Sequence, residues 1–362
     1  MPVAIHLGTK TGEIDMKSLT LALLAASALT GLAAASTPKN ALGAIAVSPD
    51  GATVIAAGDN RVLYVVDPAT LEVKQRVLIG VNPLEAAFSK DGATLVIWDT
   101  DGTISFLSSA DWSVKAKVED ASAIAIAAEG DVIAAMGSAG YGDAPMTPVT
   151  IYALSDGSKK AESQMPGKGK SIIAAADGSA YAVLTERAES AAEEKTEPPA
   201  DLKDIAREEF EQQHDGYVSE VVRLDASGKE TGRAQTWYGT YDSLNGSVVD
   251  GTAYFAGYSN KNLKVTADGA SSLFVMPSSY LYGFGVSRDG KTFAGGSLRD
   301  GGLYGVADGA AKTFEIDSQE GWPEYFEGFG FASDGSVYGG TTAYRLIHIG
   351  ADGTIMVSKP VF

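Results

Sequence analysis

The chain has 362 residues, 46 acidic against 28 basic side chains and a formal net charge of -18. Such a surface repels polyphosphate and anionic headgroups, which argues against nucleic-acid binding and against docking on anionic lipid. There is no cysteine, so disulfides, thiolate metal sites and a cysteine nucleophile are all excluded. His6, His214 and His348 are the only histidines.

From the N-terminus, residues 16–35 carry Lys17, an apolar run from Leu19 and the small residues Ala33-Ala34-Ala35. That is the form of a signal peptide, with residues 1–15 expected to be an extension from a mis-assigned start. Ser27 and Thr30 interrupt the run, which makes it a poor membrane span; an uncleaved anchor is the alternative. The expected mature protein, 36–362, is therefore periplasmic or secreted, with no stable membrane insertion after cleavage.

An acidic-glycine pair then recurs between two strand-like runs: Asp50-Gly51, Asp91-Gly92, Glu129-Gly130, Asp177-Gly178, Asp250-Gly251, Asp289-Gly290 and Asp334-Gly335. The steps between these glycines are 41, 38, 48, 73, 39 and 45 residues. Each pair suits a two-residue hairpin, whose central positions favour Asp-Gly because they need positive φ. A small apolar strand precedes each pair ("GAIAVS", "EAAFS", "GFGVS") and two further strands follow, then a more polar fourth such as "KQRVLIG". Seven units of four strands predict an all-β fold, a seven-bladed β-propeller of four-stranded antiparallel blades. Small residues suit innermost strands crowded around an axis, and the polar fourth strand suits a solvated rim. Contiguous blades further imply that no strand is exchanged to close the ring.

The units "AVSPDGATVIAAGDNRVLYVVDPATLEVKQRV" and "AFSKDGATLVIWDTDGTISFLSSADWSVKAKV" resemble bacterial propellers of the YVTN and quinoprotein amine dehydrogenase-like group, over about residues 40–362. The resemblance implies the fold and leaves function open. That group includes lactonases, but no motif here carries their acidic, arginine and histidine residues. Trp98-Asp99 suggests the WD40 dipeptide, yet it ends a second strand rather than a third and no other unit repeats it. Trp98 is therefore expected to pack between blades.

The step of 73 residues contains an insertion, 187–217, between the second and third strands of blade four. Its second half is expected to be a helix over 201–214, with Leu202, Ile205 and Phe210 on one apolar face. Strand parity puts second-to-third loops and the connections between blades on one face of the ring. The same face receives Trp237, Tyr238, Tyr241, Tyr280, Tyr282, Trp322, Tyr325 and Phe326 from inter-blade connections. Exposed rings there suit a protein, peptide or glycan partner, whereas rings plugging the gaps between blades would be purely structural. Asp59, Glu85, Asp99, Asp101 and Glu186 reach that face too, as do Asp242, Glu324 and Glu327. Converging carboxylates are calcium ligands, but without a dense D-x-D-x-D-G loop solvated charge is the preferred reading.

The sequence thus points first to an exported, non-catalytic binding or scaffold propeller with no cofactor. A lactonase-like hydrolase using Glu85 or Glu186 as base is the alternative, as is a structural subunit of an envelope complex.

Overall fold

The structure is a computed structural model and describes residues 42–140, 144–185, 219–236, 243–257, 259–317 and 323–361. The chain divides into residues 1–39 and 40–362, and the first unit, with the expected signal peptide, lies outside the described residues. Among the described residues there is no α-helix, only one 3-10 turn, Ala128–Gly130. None of them forms a helix long and apolar enough to cross a membrane. The helix expected over 201–214 falls outside the described set.

Residues 44–360 form seven four-stranded antiparallel sheets, each built from four consecutive strands in the order first-second-third-fourth. The blades span 44–78, 83–118, 121–166, 168–236, 243–280, 283–315 and 326–360. This is a seven-bladed β-propeller, and each blade is contiguous in sequence.

Side chains alternate across a strand, so every blade presents an apolar surface to both neighbours. The hydrophobic core is accordingly divided into seven clusters, one at each seam between consecutive blades. Ring closure is a seam like the others. Ile45, Val54 and Tyr64 of blade one pack with Tyr338 and Leu346 of blade seven, and the Tyr338 hydroxyl donates to the Pro68 carbonyl at 3.1 Å. Burial falls from axis to rim: the first strand of blade one (Ala44–Val47) is wholly buried, while its fourth (Val73–Leu78) is mostly exposed.

Glycine in the first strands of blades six and seven follows from crowding near the axis. A Cβ on Gly328 would lie 1.8 Å from the Gly43 carbonyl oxygen, so blades seven and one approach backbone to backbone there. Phe326 and Phe329 stack at 5.0 Å, and both rings lie against Gly339 of the second strand of blade seven, where a Cβ would come within 2.8 Å of each.

The acidic-glycine turns correct the simple hairpin expectation. Only blade five has the two-residue form, with Asp250 and Gly251 at φ 50 and 74 and Val249 paired with Thr252. Blades one, two and six use four-residue loops closed by Ser48 N to Thr53 O, Ser89 N to Thr94 O and Ser287 N to Thr292 O. The reason lies in the serine two residues before each aspartate. Ser48 Oγ donates to Asp50 Oδ1 at 2.6 Å, and Asp50 Oδ1 also accepts from Ala52 N. The aspartate therefore works as a side-chain acceptor, and glycine alone takes positive φ, 68° at Gly51. In blade three the turn is the 3-10 segment, and Asp131, not Gly130, adopts φ 53.

Candidate functional site

Two neighbouring connections and one loop build a ledge on the face where inter-blade connections gather. Tyr282 follows the fourth strand of blade five (Ser271–Tyr280), Leu298 lies in the second-to-third loop of blade six, and Tyr325 precedes the first strand of blade seven (Phe326–Phe331). Backbone bonds fix all three. Tyr282 N donates to Gly296 O at 2.9 Å, Arg299 N to Glu324 O at 3.2 Å and Thr342 N to Tyr325 O at 2.9 Å. Leu298 and Tyr325 form a β-bridge, and the Tyr282 and Tyr325 rings meet edge-on at 4.9 Å. Tyr282 and Leu298 are each 41% exposed. Apolar side chains held rigidly and open to solvent favour recognition, because little conformational entropy is lost when a partner covers them.

Behind the ledge sits a buried ion pair. Glu324 is 5% exposed, receives Arg345 Nε at 2.8 Å and a terminal Arg345 nitrogen at 2.7 Å, and accepts the Thr341 hydroxyl at 2.5 Å. Arg345 also donates to the Asp317 carbonyl at 2.7 Å. This fork clamps the connection between blades six and seven to the third strand of blade seven. Glu324 is thereby a structural carboxylate.

Inside the ring the first strands enclose a central cavity of about 310 Å³. Ile45, Ala86, Phe88, Trp98, Phe284 and Phe329 are among the lining residues, although their side chains pack into the seams between blades. Tyr282, Glu85 and Glu327 stand toward the ledge face by strand direction; Ser287 and Arg288 stand toward the opposite face. Burial pushes the Glu327 carboxyl up to about 7, and the nearby Asp59 charge adds to that shift. Asp59 itself accepts the Tyr344 hydroxyl across the seam between blades one and seven, and burial, with that bond, raises the Tyr344 phenol.

At the other end three charges from three blades meet. Arg288 Nε donates to Glu129 Oε1 at 3.2 Å. Lys90 Nζ lies 3.4 Å from Glu129 Oε2 and donates to the Glu129 carbonyl at 3.3 Å. Blades two, three and six are thus tied together beside the axis.

The sequence-derived candidates separate on this frame. Tyr282 and Tyr325 lie on the ledge, and Tyr280 is the last residue of its strand. Phe326 was expected among the exposed rings and is instead 0% exposed, packed edge-on against Phe314 at 5.4 Å. Trp237, Tyr238, Tyr241, Trp322, Leu202, Ile205, Phe210 and Glu186 lie outside the described residues. Glu85 lines the cavity. Asp99 is not a surface ligand: it is buried and its Oδ1 accepts Asp101 N at 3.0 Å and Thr103 N at 2.9 Å, which closes its own loop. Asp101 is exposed on that loop. Trp98 packs in the seam between blades two and three, as expected, and donates Nε1 to the Ala121 carbonyl at 3.1 Å. Among the described residues no three of His, Asp or Glu converge as a metal cluster.

Arg288, Lys90 and the special position of Glu327 are what sequence reasoning missed. A signal was available for two of them. Lys90 and Arg288 occupy the same place in the repeat, the second residue of "SKDG" and "SRDG", so the fold brings them to the same level of the ring.

No protein-family model matches the chain, and no curated protein sequence matches it. The class is therefore defined by architecture: a seven-bladed propeller with a rigid apolar ledge on one face and a central cavity with charged groups toward both ends.

Proposed function

We propose that this protein is an exported, non-catalytic binding propeller of the YVTN-like repeat group that engages a partner protein, peptide or glycan on its ledge face. The observation that carries this reading is the ledge itself. Tyr282 and Leu298 are exposed, adjoin one another across the ledge and are held by backbone bonds and a ring contact, whereas the other exposed large apolar side chains among the described residues, Leu78, Val114, Met146 and Met356, stand one each on blades one, two, three and seven. Rigid, solvent-facing apolar side chains are the composition of an interface centre. The acidic surface favours a basic or neutral partner over an acidic one.

The test is equilibrium binding to partners recovered by crosslinking in the native envelope, and to an oligosaccharide set. The chain carrying Tyr282→Ser and Leu298→Asp is compared with Met356→Ser, which alters an exposed methionine on the outer strand of blade seven. The reading expects at least about a tenfold loss for the ledge variant alone. Equal affinities for all three proteins would overturn it.

A hydrolytic role is the second reading, and Glu327 is the observation that favours it. A carboxyl pushed up to about 7 inside a cavity exchanges a proton near neutral pH, as a general acid or base must. A lactone and ester panel run with the wild type and Glu327→Gln decides it. Turnover abolished by the substitution supports hydrolysis, and no turnover by the wild type rejects it.

A further inference from the structure

A second cavity, of about 270 Å³, opens in the seam between blades one and two on the face away from the ledge. Pro49, Asp50 and Thr53 of blade one line it together with Asp91, Ser109 and Trp112 of blade two. Both acidic-glycine turns therefore border it, as does the third-to-fourth hairpin of blade two. Its volume is at the small end of the range for ligand pockets, about 300–1,000 Å³.

Two exposed carboxylates stand at its edge. Asp50 Oδ1 accepts the Ser48 hydroxyl at 2.6 Å and Ala52 N at 3.0 Å. Asp91 Oδ1 likewise accepts the Ser89 hydroxyl at 2.6 Å and Ala93 N at 3.0 Å. The serine bonds, helped by the backbone ones, hold both acids below the ordinary 3.8, so both are charged at neutral pH. Oδ2 of each accepts no hydrogen bond from a described residue. The cations nearby are directed elsewhere. Lys90 Nζ lies toward Glu129 of blade three at 3.4 Å. Lys115 adds to the low pKa of Asp91, but its ammonium donates to the Ala93 carbonyl at 3.1 Å and the Thr94 hydroxyl at 3.2 Å. Asp50 has no ion pair with a described residue. The cavity is thus left with an excess of negative charge.

Trp112 is the feature that the turns do not explain. Its N–H donates to the carbonyl four residues back, Ser108 O, at a left-handed φ of 62. Gly157 and Gly309 fill the same place in blades three and six at φ 75 and 67, and Leu71 fills it in blade one at φ 56. Glycine takes this conformation freely, whereas a bulky side chain is strained in it. Leu71 offsets the strain by burial, being 1% exposed. Trp112 is only partly buried against its seam and also lines the cavity. Its indole is fixed across the seam, Nε1 donating to Gln75 Oε1 of blade one at 3.1 Å. An indole beside two carboxylates suits a cation, because ring quadrupole and carboxylate charge attract the same sign.

A neutral sugar could stack on the indole but would leave both carboxylate charges uncompensated. A bare metal ion would make no use of the indole, and among the described residues no three of His, Asp or Glu converge on one. An organic ammonium ion answers every feature, with N–H donors for the carboxylate oxygens and an apolar stem for the ring. We infer that the seam between blades one and two binds an alkylammonium ion, its ammonium between Asp50 and Asp91 and its stem along Trp112 and Pro49. Free amines and lysine side chains share that chemistry. The site lies on the face opposite the ledge and does not rest on docking there.

The test uses the full chain at low ionic strength and four probes: butylammonium, acetyl-lysine methylamide, tetramethylammonium and methyl glucoside. Binding is read by titration calorimetry and by ligand-observed NMR. The first two are expected to bind, and the tighter of them marks a free amine or a lysine side chain as the source. Tetramethylammonium, which has no N–H, is expected to bind several-fold more weakly, and methyl glucoside not to compete. Asp50→Asn combined with Asp91→Asn keeps the turn acceptors and removes both charges, and should weaken butylammonium at least about 10-fold. Asp289→Asn, in the matching turn of blade six, should leave it unchanged. Trp112→Leu, which installs the residue type that blade one carries there, should weaken it about 3- to 10-fold. Methyl glucoside or tetramethylammonium binding as well as butylammonium, or butylammonium affinity unchanged in the double aspartate variant, would each overturn the assignment. Unchanged affinity in Trp112→Leu with a lowered melting temperature would overturn it too, leaving the indole as seam packing. Loss of a ledge partner in Tyr282→Ser and Leu298→Asp while butylammonium binding persists bears on the ledge alone.

Discussion

Replacing Glu327 by glutamine gives a quantitative test of the cavity's interior. The carboxyl stands at about 7 instead of its ordinary 4.5, chiefly through burial and then through the charge on Asp59. Between those two values the folded protein holds a proton that the unfolded chain has released. Stability must therefore fall as pH rises from 4.5 through 7 and level off above it. At about 1.36 kcal/mol per tenfold, the displacement corresponds to about 3 kcal/mol. Glu327 is only partly buried, and solvent screening reduces that to about 1–3 kcal/mol. Glutamine keeps the shape and hydrogen-bonding capacity of the neutral acid and cannot ionise. Glu327→Gln should match the wild type at pH 4.5 and exceed it at pH 8 by about 1–3 kcal/mol, or about 2–6 °C in Tm. Thermal and urea unfolding at half-unit pH intervals, read as the difference between the two proteins, isolates this one group. Parallel profiles across pH 4.5–8 would refute the argument, and a variant that becomes relatively less stable at high pH would reverse its sign.

Other substitutions probe the frame around the site. Gly328→Ala places a Cβ 1.8 Å from the Gly43 carbonyl oxygen and should cost about 3 kcal/mol or more, measured by urea unfolding, because backbone on both sides must move. Glu324→Ala strands the Arg345 fork and should cost about 2–3 kcal/mol, whereas Glu162→Ala, which breaks the exposed pair with Lys159, should cost under about 0.5 kcal/mol. His348 stacks on Tyr338 at 4.4 Å, and burial holds its pKa below the ordinary 6.5. Stability from this residue is thus lost as pH falls through 6.5, and His348→Phe should remove that acid-side loss in melts compared at pH 7 and 5.

What was legible in the sequence was the repeat, and the repeat carried the architecture. Acidic-glycine turns at near-constant spacing, small residues before them and polar fourth strands specify seven blades, because each pattern is a local demand of backbone conformation or burial. The turns themselves were misread in detail. A serine two residues before the aspartate, as in Ser48 and Asp50, converts the expected tight hairpin into a side-chain-capped loop in which aspartate no longer needs positive φ. The site was harder to read because it is built from single residues of different blades. Tyr282, Leu298 and Tyr325 are brought together by a loop and two connections, while Phe326, adjacent in sequence to Tyr325, points into a seam. One residue of displacement on a strand separates solvent from core. The pairing of Arg288 with Glu129 spans 159 positions and has no local signature, although the shared repeat position of Lys90 and Arg288 placed both at the same level.

The central claim is that recognition takes place on the ledge face between blades six and seven. A photo-crosslinking amino acid placed singly at Leu298, at Met356 on the outer strand of blade seven, and at Ala310 in the third-to-fourth hairpin of blade six tests it in the native cells. The account predicts one discrete adduct from position 298 and none from 356 or 310. Adducts formed equally at all three positions, or only away from 298, would contradict it.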